Sequence, residues 1–271
     1  MESVAIIPPM ATIVFLHAHP DDEASSTSGT IALAAAEGHR VVVVFATNGE
    51  HGEAPDDLAP GETVADRRRA EAERAAAVAG TARVVWLGYS DSGMRGWEGN
   101  DNPDSFHRAD LDEAARRLAR ILDEEDADVL VGYDWHGNYG HPDHVKVHPV
   151  AYRAAQLATR RPRVLEVTMN RDAARAEYQR MAAQGVQSDW NPDSPGDDGN
   201  GIGLSEAELH FRVDVSRMLD LKRAALACHA SQVTDIGMML SMPDEVFARF
   251  MGVEWYREHG RPIGITDGLP F

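Results

Sequence analysis

Apolar positions along the chain alternate between two periodicities. Thr12 to Leu16 is a continuous apolar run, Val41 to Phe45 is β-branched almost throughout, and Arg83 to Leu87, Val129 to Gly132 and Val164 to Met169 repeat the pattern. Such short runs predict strands, and the lack of polar alternation predicts burial on both faces. Between them lie segments of helical period. Thr30 to Glu37 is closed by Gly38, and Thr63 to Ala79 by Gly80. Leu111 to Glu125 places Leu111, Ala115, Leu118 and Leu122 on one face, and Val145 to Ala158 follows the fourth strand. Strand and helix in strict alternation predict βαβ units. The expected fold is α/β and Rossmann-like, a mostly parallel sheet with helices on both faces.

From about residue 171 the alternation weakens. A helix is predicted over 171–184 and an alternating strand over His210 to Val215. Helices are predicted from Arg217 to Gln232 and from Asp244 to Phe250, with short extended pieces around the latter. Residues 188–203 are rich in Asp, Pro, Gly and Asn and read as a loop over the site or as disorder. The expected organisation is a catalytic part over 10–170 and a smaller α+β part over 171–271 that completes the substrate pocket, together in one compact domain.

The polar residues gather at predicted strand ends. His19-Pro20-Asp21-Asp22-Glu23 follows the first strand, and His141-Pro142-Asp143-His144 follows the fourth. In open α/β sheets the carboxyl ends of strands are where ligands bind. If the sheet is parallel, the two segments share an edge. An Asp at a helix start is commonly a cap, and a lone His in a turn is commonly a surface residue. Two Pro-stiffened, His-containing turns at matching strand ends are hard to explain in that way. Three of the groups in His19-x-x-Asp22 and His141-x-x-His144 make an N,N,O set. Three protein ligands with an open fourth position describe catalytic zinc. His51, His107 and His148 stand outside the pattern and read as surface residues.

Composition narrows the partners. The 271 residues carry 44 acidic against 26 basic side chains, a formal charge of −18. That sign repels phosphate backbones, so nucleic acid is not an expected partner. The one cysteine excludes an intrachain disulfide and fits a reducing compartment, so a cytoplasmic location is expected. No apolar run approaches the ~20 residues of a membrane helix. Met1 to Pro9 lacks the basic and apolar regions of a secretory signal. It reads as a start-site extension or an ordered flap. A chain of this size and charge can be monomeric or oligomeric.

Ala18-His19-Pro20-Asp21-Asp22-Glu23 together with Gly140-His141-Pro142-Asp143-His144 resembles the PIG-L/LmbE family of zinc-dependent N-deacetylases. Trp86-Leu87-Gly88-Tyr89, Asp91-Ser92-Gly93-Met94 and Ala230-Ser231-Gln232 after His229 resemble its mycothiol branch, which holds a deacetylase of N-acetylglucosaminyl-inositol and an amidase of mycothiol S-conjugates. The resemblance implies an LmbE-like fold, one Zn2+ per chain and a small N-acylated amino sugar as substrate. It implies His19, Asp22 and His144 as metal ligands and Asp21 as general base. His141 then stabilises the oxyanion or protonates the leaving amine, and Asp143 orients His141. Tyr139 becomes a mobile aromatic at the mouth. Arg68, Asp91 and Met94 contact the sugar or its substituent, and Gln232 lines the site. Glu23 reads as a group backing the ligands. Residues 188–203, the region after Met218 and Trp135-His136 depart from the branch pattern, which leaves the substrate open.

Amide hydrolysis needs a nucleophile, an oxyanion partner and a proton for the departing amine, and these residues supply candidates for each. A near alternative is an amidase cutting a larger acyl group, with 96–109 and 188–203 setting pocket size, and another is a deacetylase of a secondary-metabolite amino sugar. A metal-dependent phosphoesterase would need two metals and more basic residues. A sugar-binding protein without catalysis would need no metal.

Overall fold

The computed structural model describes residues 10–185 and 191–271. Residues 1–9, the extension or flap of the sequence reading, and 188–190 of the predicted loop lie outside the described residues. Strand β1 (Thr12–His17) leads through helices α1 (Asp22–Ser26) and α2 (Ser28–Ala36) to β2 (Arg40–Thr47). Helix α3 (Val64–Ala79) then leads to β3 (Arg83–Tyr89), and α4 (Leu111–Glu124) to β4 (Val129–Tyr133). Helix α5 (Pro142–Leu157) is followed by β5 (Arg163–Thr168) and α6 (Arg171–Ala183). The last third holds β6 (Phe211–Asp214), α7 (Leu219–Cys228), α8 (Asp235–Ser241), α9 (Asp244–Met251), β7 (Val253–Arg257) and β8 (Thr266–Asp267).

Among the described residues, eight strands form one sheet in the order β3-β2-β1-β4-β5-β7-β6-β8. The first five pair in parallel. β7 is antiparallel to both β5 and β6, and β8 runs parallel to β6. The 171–271 stretch therefore extends the same sheet. β1 pairs with β2 on one side and β4 on the other, so the chain reverses its direction of travel between β1 and β4. That reversal sends α4 and α5 to the opposite face from α2 and α3, given right-handed crossovers. The contacts agree: α4 packs on α5, and α3 and α2 pack on α7.

The apolar runs fill the middle layer. Ile13, Val14, Phe15 and Leu16 of β1, Val41 to Phe45 of β2 and Val129 to Val131 of β4 are all buried. Each such side chain contributes about 1.5–3 kcal/mol relative to exposure. This fixes the register that delivers the strand ends to one edge.

Three sequence expectations change. Helix α5 starts at Pro142, three residues before the predicted start, because His141 caps it and Pro142 suits a first turn that needs no N–H. Asp143 and His144 are thus helical. The helix predicted over Arg217 to Gln232 is shorter: α7 ends at Cys228 and His229 to Gln232 turn away. Here side chains override periodicity, since Ser231 donates to Glu71 (2.6 Å) and the His229 imidazole meets Glu23 (2.7 Å). Residues 235–241, thought extended, form α8.

His210, just before β6, makes the outer sheet sensitive to acid. Its Nδ1 accepts from the Glu258 N–H at 3.1 Å. Burial, then the nearby Arg257 and Arg261, lower its pKa below the ordinary 6.5, against a weaker pull from Glu258. A depressed histidine pKa adds stability that is fully present above the unfolded value. That stability is lost as pH falls through 6.5 toward the folded value. In urea melts, wild type should therefore exceed His210→Asn most at pH 7.5, with the gap narrowing at pH 5. A gap that widens on acidification would contradict the assignment.

Candidate active site

The β1 and β4 carboxyl ends lie side by side at the topological switch point, and the two histidine turns meet there. After β1 the chain enters α1 with no room for a conventional cap. Asp21 is the N-cap residue at φ 108° and ψ −27°, and its side chain makes no capping bond. After β4, residues 134–141 turn through Gly137 at φ 65°. A Cβ on Gly137 would lie 2.4 Å from both the carbonyl carbon and the Cβ of His144, so only glycine permits this approach.

His19 Nδ1 lies 3.1 Å from His144 Nε2. Asp22 Oδ2 lies 3.4 Å from His144 Nε2 and 3.7 Å from His19 Nδ1. Four-coordinate zinc with bonds of about 2.0–2.1 Å has ligand-to-ligand edges of about 3.3 Å. The triangle of predicted ligands is therefore the size that one such ion requires. Among the described residues, His19, His141 and His144 bring candidate ligand atoms within 4.8 Å of one another, as do His19, Asp91, His141 and Asp143.

The far side of His19 is held by acid. Its Nε2 lies 3.3 Å from Asp91 Oδ1 and 3.3 Å from Asp143 Oδ2. Each carboxylate is fixed in turn. Asp143 accepts from the Ser92 N–H (2.8 Å) and the His107 N–H (2.7 Å), and Asp91 from the Gly93 N–H (2.8 Å). This differs from the expected arrangement: the Asp143 carboxylate bonds to His19, while only its backbone N–H reaches His141 Nδ1 (3.2 Å). Asp91, expected at the sugar, likewise lies on His19.

Electrostatics reflect the crowding. Burial alone would lower His19, yet Asp91, Asp143 and Asp22 together hold it well above 6.5. Burial lowers His144 to about 4 despite Asp22. Burial and the two neighbouring imidazoles lower His141 to about 2. Burial opposes ionisation of Asp22, but His144 and His19 bring it to about 2. Burial raises Asp21 to about 6 against the pull of Arg68. Asp22, Asp91 and Asp143 thus converge on the His19 and His144 imidazoles, a donor set able to hold a cation.

His141 packs edge-on to His19, ring centres 4.6 Å apart. Because its Nδ1 accepts a backbone hydrogen bond, a neutral ring carries its proton on Nε2. Tyr139 places its hydroxyl 3.4 Å from His144 Nε2. Burial and the surrounding carboxylates push its pKa well up, so it remains a donor. The described part of the 188–203 loop covers this segment, with Asp197 N–H donating to the Tyr139 carbonyl (2.6 Å) and Gly203 N–H to that of Asn138 (2.6 Å).

Arg68 and Gln232 are spent internally. Arg68 is buried and donates to Asp21 Oδ2 (2.7 Å), the Gly49 carbonyl (2.7 Å) and the Pro20 carbonyl. Gln232 accepts from Glu53 N–H (3.1 Å) and donates to Ser231 (2.7 Å), tying the loop after β2 to the end of α7. Met94 is half-buried on the loop after β3. Sequence reasoning missed Tyr133, whose hydroxyl reaches His17 Nδ1 (3.0 Å) and Ala18 N–H (3.2 Å) behind the triangle. A hydroxyl at the tip of an otherwise apolar strand was the available signal. It also gave His229 no role, although His229 sits beside the Ala230-Ser231-Gln232 motif.

A parallel-sheet crevice that gathers His and Asp donors able to hold a metal ion, beside a carboxylate and a further imidazole, fits a metal-dependent hydrolase. Residues 14–155 match the model of the PIG-L family, GlcNAc-PI de-N-acetylase, and the chain belongs to that family. It is 34% identical to a 1D-myo-inositol 2-acetamido-2-deoxy-alpha-D-glucopyranoside deacetylase from Thermomonospora curvata, over 95% of this chain and 97% of that one. A protein of the same name from Thermobispora bispora is 35% identical, over 95% and 91% of the two chains. Among solved structures, the N,N'-diacetylchitobiose deacetylase of Pyrococcus horikoshii shares the fold, with TM-score 0.56 and 20% identity over 92% of this chain and 82% of that one. The chain is an enzyme of this deacetylase family, acting on linear amides. Among the described residues no helix is long and apolar enough to cross a membrane.

Proposed function

We propose that this chain is a zinc-dependent hydrolase that removes the N-acetyl group from an amino sugar, working in the cytoplasm on a small N-acetylglucosaminide. N-acetylglucosaminyl-inositol is the first choice of substrate, from the names and coverage of its relatives. The observation that carries the reading is the triangle of His19 Nδ1, Asp22 Oδ2 and His144 Nε2, with edges of 3.1, 3.4 and 3.7 Å.

These three residues would hold the ion, with Asp91 and Asp143 orienting His19 behind it. A divalent ion there supplies Lewis-acid polarisation of the amide carbonyl and lowers the pKa of a coordinated water toward ~7. Asp21 is the base that takes the proton from the attacking water. Its side chain remains 24% exposed, with one oxygen held by Arg68. His141 donates from Nε2 to the developing oxyanion, and Tyr139 adds a second hydroxyl donor at the mouth. The proton held by Asp21 then passes to the departing amine. The 171–271 part closes the pocket through the 191–203 loop and the His229 to Gln232 turn.

The test is elemental analysis alongside a mass-spectrometric screen. Purified protein should carry about one divalent ion per chain, and His144→Ala should carry far less. Loaded wild type should release acetate from N-acetylglucosaminyl-inositol or N,N'-diacetylchitobiose. Release of a larger acid from mycothiol S-conjugates alone would favour the amidase reading. A metal-free active protein would end both.

A further inference from the structure

Asp21 has an unusual backbone for a residue that must aim a carboxylate. Its φ of 108° is a conformation that residues other than glycine rarely adopt and that the surrounding structure must enforce. Asp is among the best capping residues, yet here its side chain caps nothing. The helix it opens, Asp22–Ser26, is five residues long and too short to enforce the conformation alone.

The restraint comes from both edges of one peptide plane. The Pro20 carbonyl accepts from Arg68. The N–H of the same peptide, Asp21 N, donates to Glu23 Oε2 at 2.9 Å. Rotating this plane changes the φ of Asp21, so holding both edges fixes it. Each clamp is anchored elsewhere. Arg68 also grips the Gly49 carbonyl, and a Cβ on Gly49 or Gly52 would lie 2.3 Å from its Nη1. Glu23 is fully buried, and its other oxygen meets His229 Nε2 at 2.7 Å. His229, also fully buried, lies 206 residues further along at the end of α7. Ser231, bonded to Glu71 through its N–H (3.0 Å) and hydroxyl (2.6 Å), pins that turn.

We infer that Glu23 and His229 are positioning residues for the base, holding one edge of the Pro20–Asp21 peptide while Arg68 holds the other, so that Asp21 keeps its second carboxylate oxygen available for the reaction. The inference deepens the functional reading above and rests on Asp21 being the base. It assigns the C-terminal third a part in catalysis that does not involve touching substrate.

The test compares His229→Leu, which keeps bulk but donates nothing to Glu23, with His229→Gln, whose amide donates. With metal-loaded protein and N-acetylglucosaminyl-inositol, the Leu variant should lose at least tenfold in kcat. Its KM and metal content should stay within twofold of wild type, and the Gln variant should recover to within about threefold. A crystal structure of the Leu variant should show Asp21 relaxed from φ 108°. An unchanged kcat, a loss of metal, or a fall in kcat with Asp21 unmoved would each overturn the clamp. If the Leu variant does not fold, Glu23→Met, which accepts nothing from the Asp21 N–H, serves: kcat at least threefold lower at constant KM supports the clamp, and a smaller change overturns it. If wild type itself hydrolyses no amino sugar, the functional reading fails. The φ of Asp21 in the Leu variant then decides the clamp by itself.

Discussion

Asp21→Asn should lower kcat by roughly 10²–10⁴-fold, the usual contribution of a positioned general base. KM and bound metal should change little. Asn keeps an oxygen for Arg68 Nη2, now 2.7 Å from Asp21 Oδ2, so the fold around the turn has no reason to move. It also leaves His19, Asp22 and His144 untouched. What it removes is the oxygen able to accept a proton. Steady-state acetate release, with metal counted on the same sample, checks this. A kcat within tenfold of wild type would move the base elsewhere, with His141 the next candidate by position. Its depressed pKa and its acceptor Nδ1 fit a donor better than a base.

Lys222→Met should be the most destabilising single change away from the site, by about 3–5 kcal/mol. Lys222 Nζ lies 2.5 Å from Glu254 Oε1, and both side chains are almost wholly buried. The same carboxylate accepts from the N–H groups of Gly29 and Thr30, 2.9 Å each, at the start of α2. Removing the ammonium leaves a buried anion with no counter-charge, held only by the two α2 N–H groups and the Tyr256 hydroxyl at 3.4 Å. A loss of that size is a third or more of the stability of many domains. Lys222→Met combined with Glu254→Gln should lose less than Lys222→Met alone, because Gln still accepts from α2 and needs no counter-charge. Urea midpoints of the two single variants and the double variant decide it. Additive losses would mean that the two groups are not coupled.

The sheet was legible because its strands are apolar on both faces. Runs such as Val41 to Phe45 admit few other readings, and parallel pairing followed once helices alternated with them, though not the order of the strands. The histidine turns were legible because His19-Pro20-Asp21-Asp22 and His141-Pro142-Asp143-His144 place unusual groups at matching strand ends. Partnership among those groups was not legible. Nothing in the spacing tells whether Asp143 faces His141, two residues away, or His19, across the crevice; a helix starting at Pro142 decides it by turning the buried side chain toward His19. Arg68 illustrates the same limit. On a helix with Arg67 and Arg69 it reads as solvated or substrate-facing, but two glycines in the loop after β2 admit it to the interior. The end of α7 was misread because helical periodicity carries no information about Glu23 or Glu71, which lie far off in sequence and pull His229 and Ser231 out of the spiral.

His141, Asp143 and His144 all ride the opening turn of one 16-residue helix. Their mutual spacing is set by the pitch of a spiral rather than by a pliable loop, and so exists before any ion or sugar arrives. Lineages could therefore lengthen, shorten or rewrite the segments at 90–109 and 191–203 to admit new sugars while the cutting tool stayed in its holder.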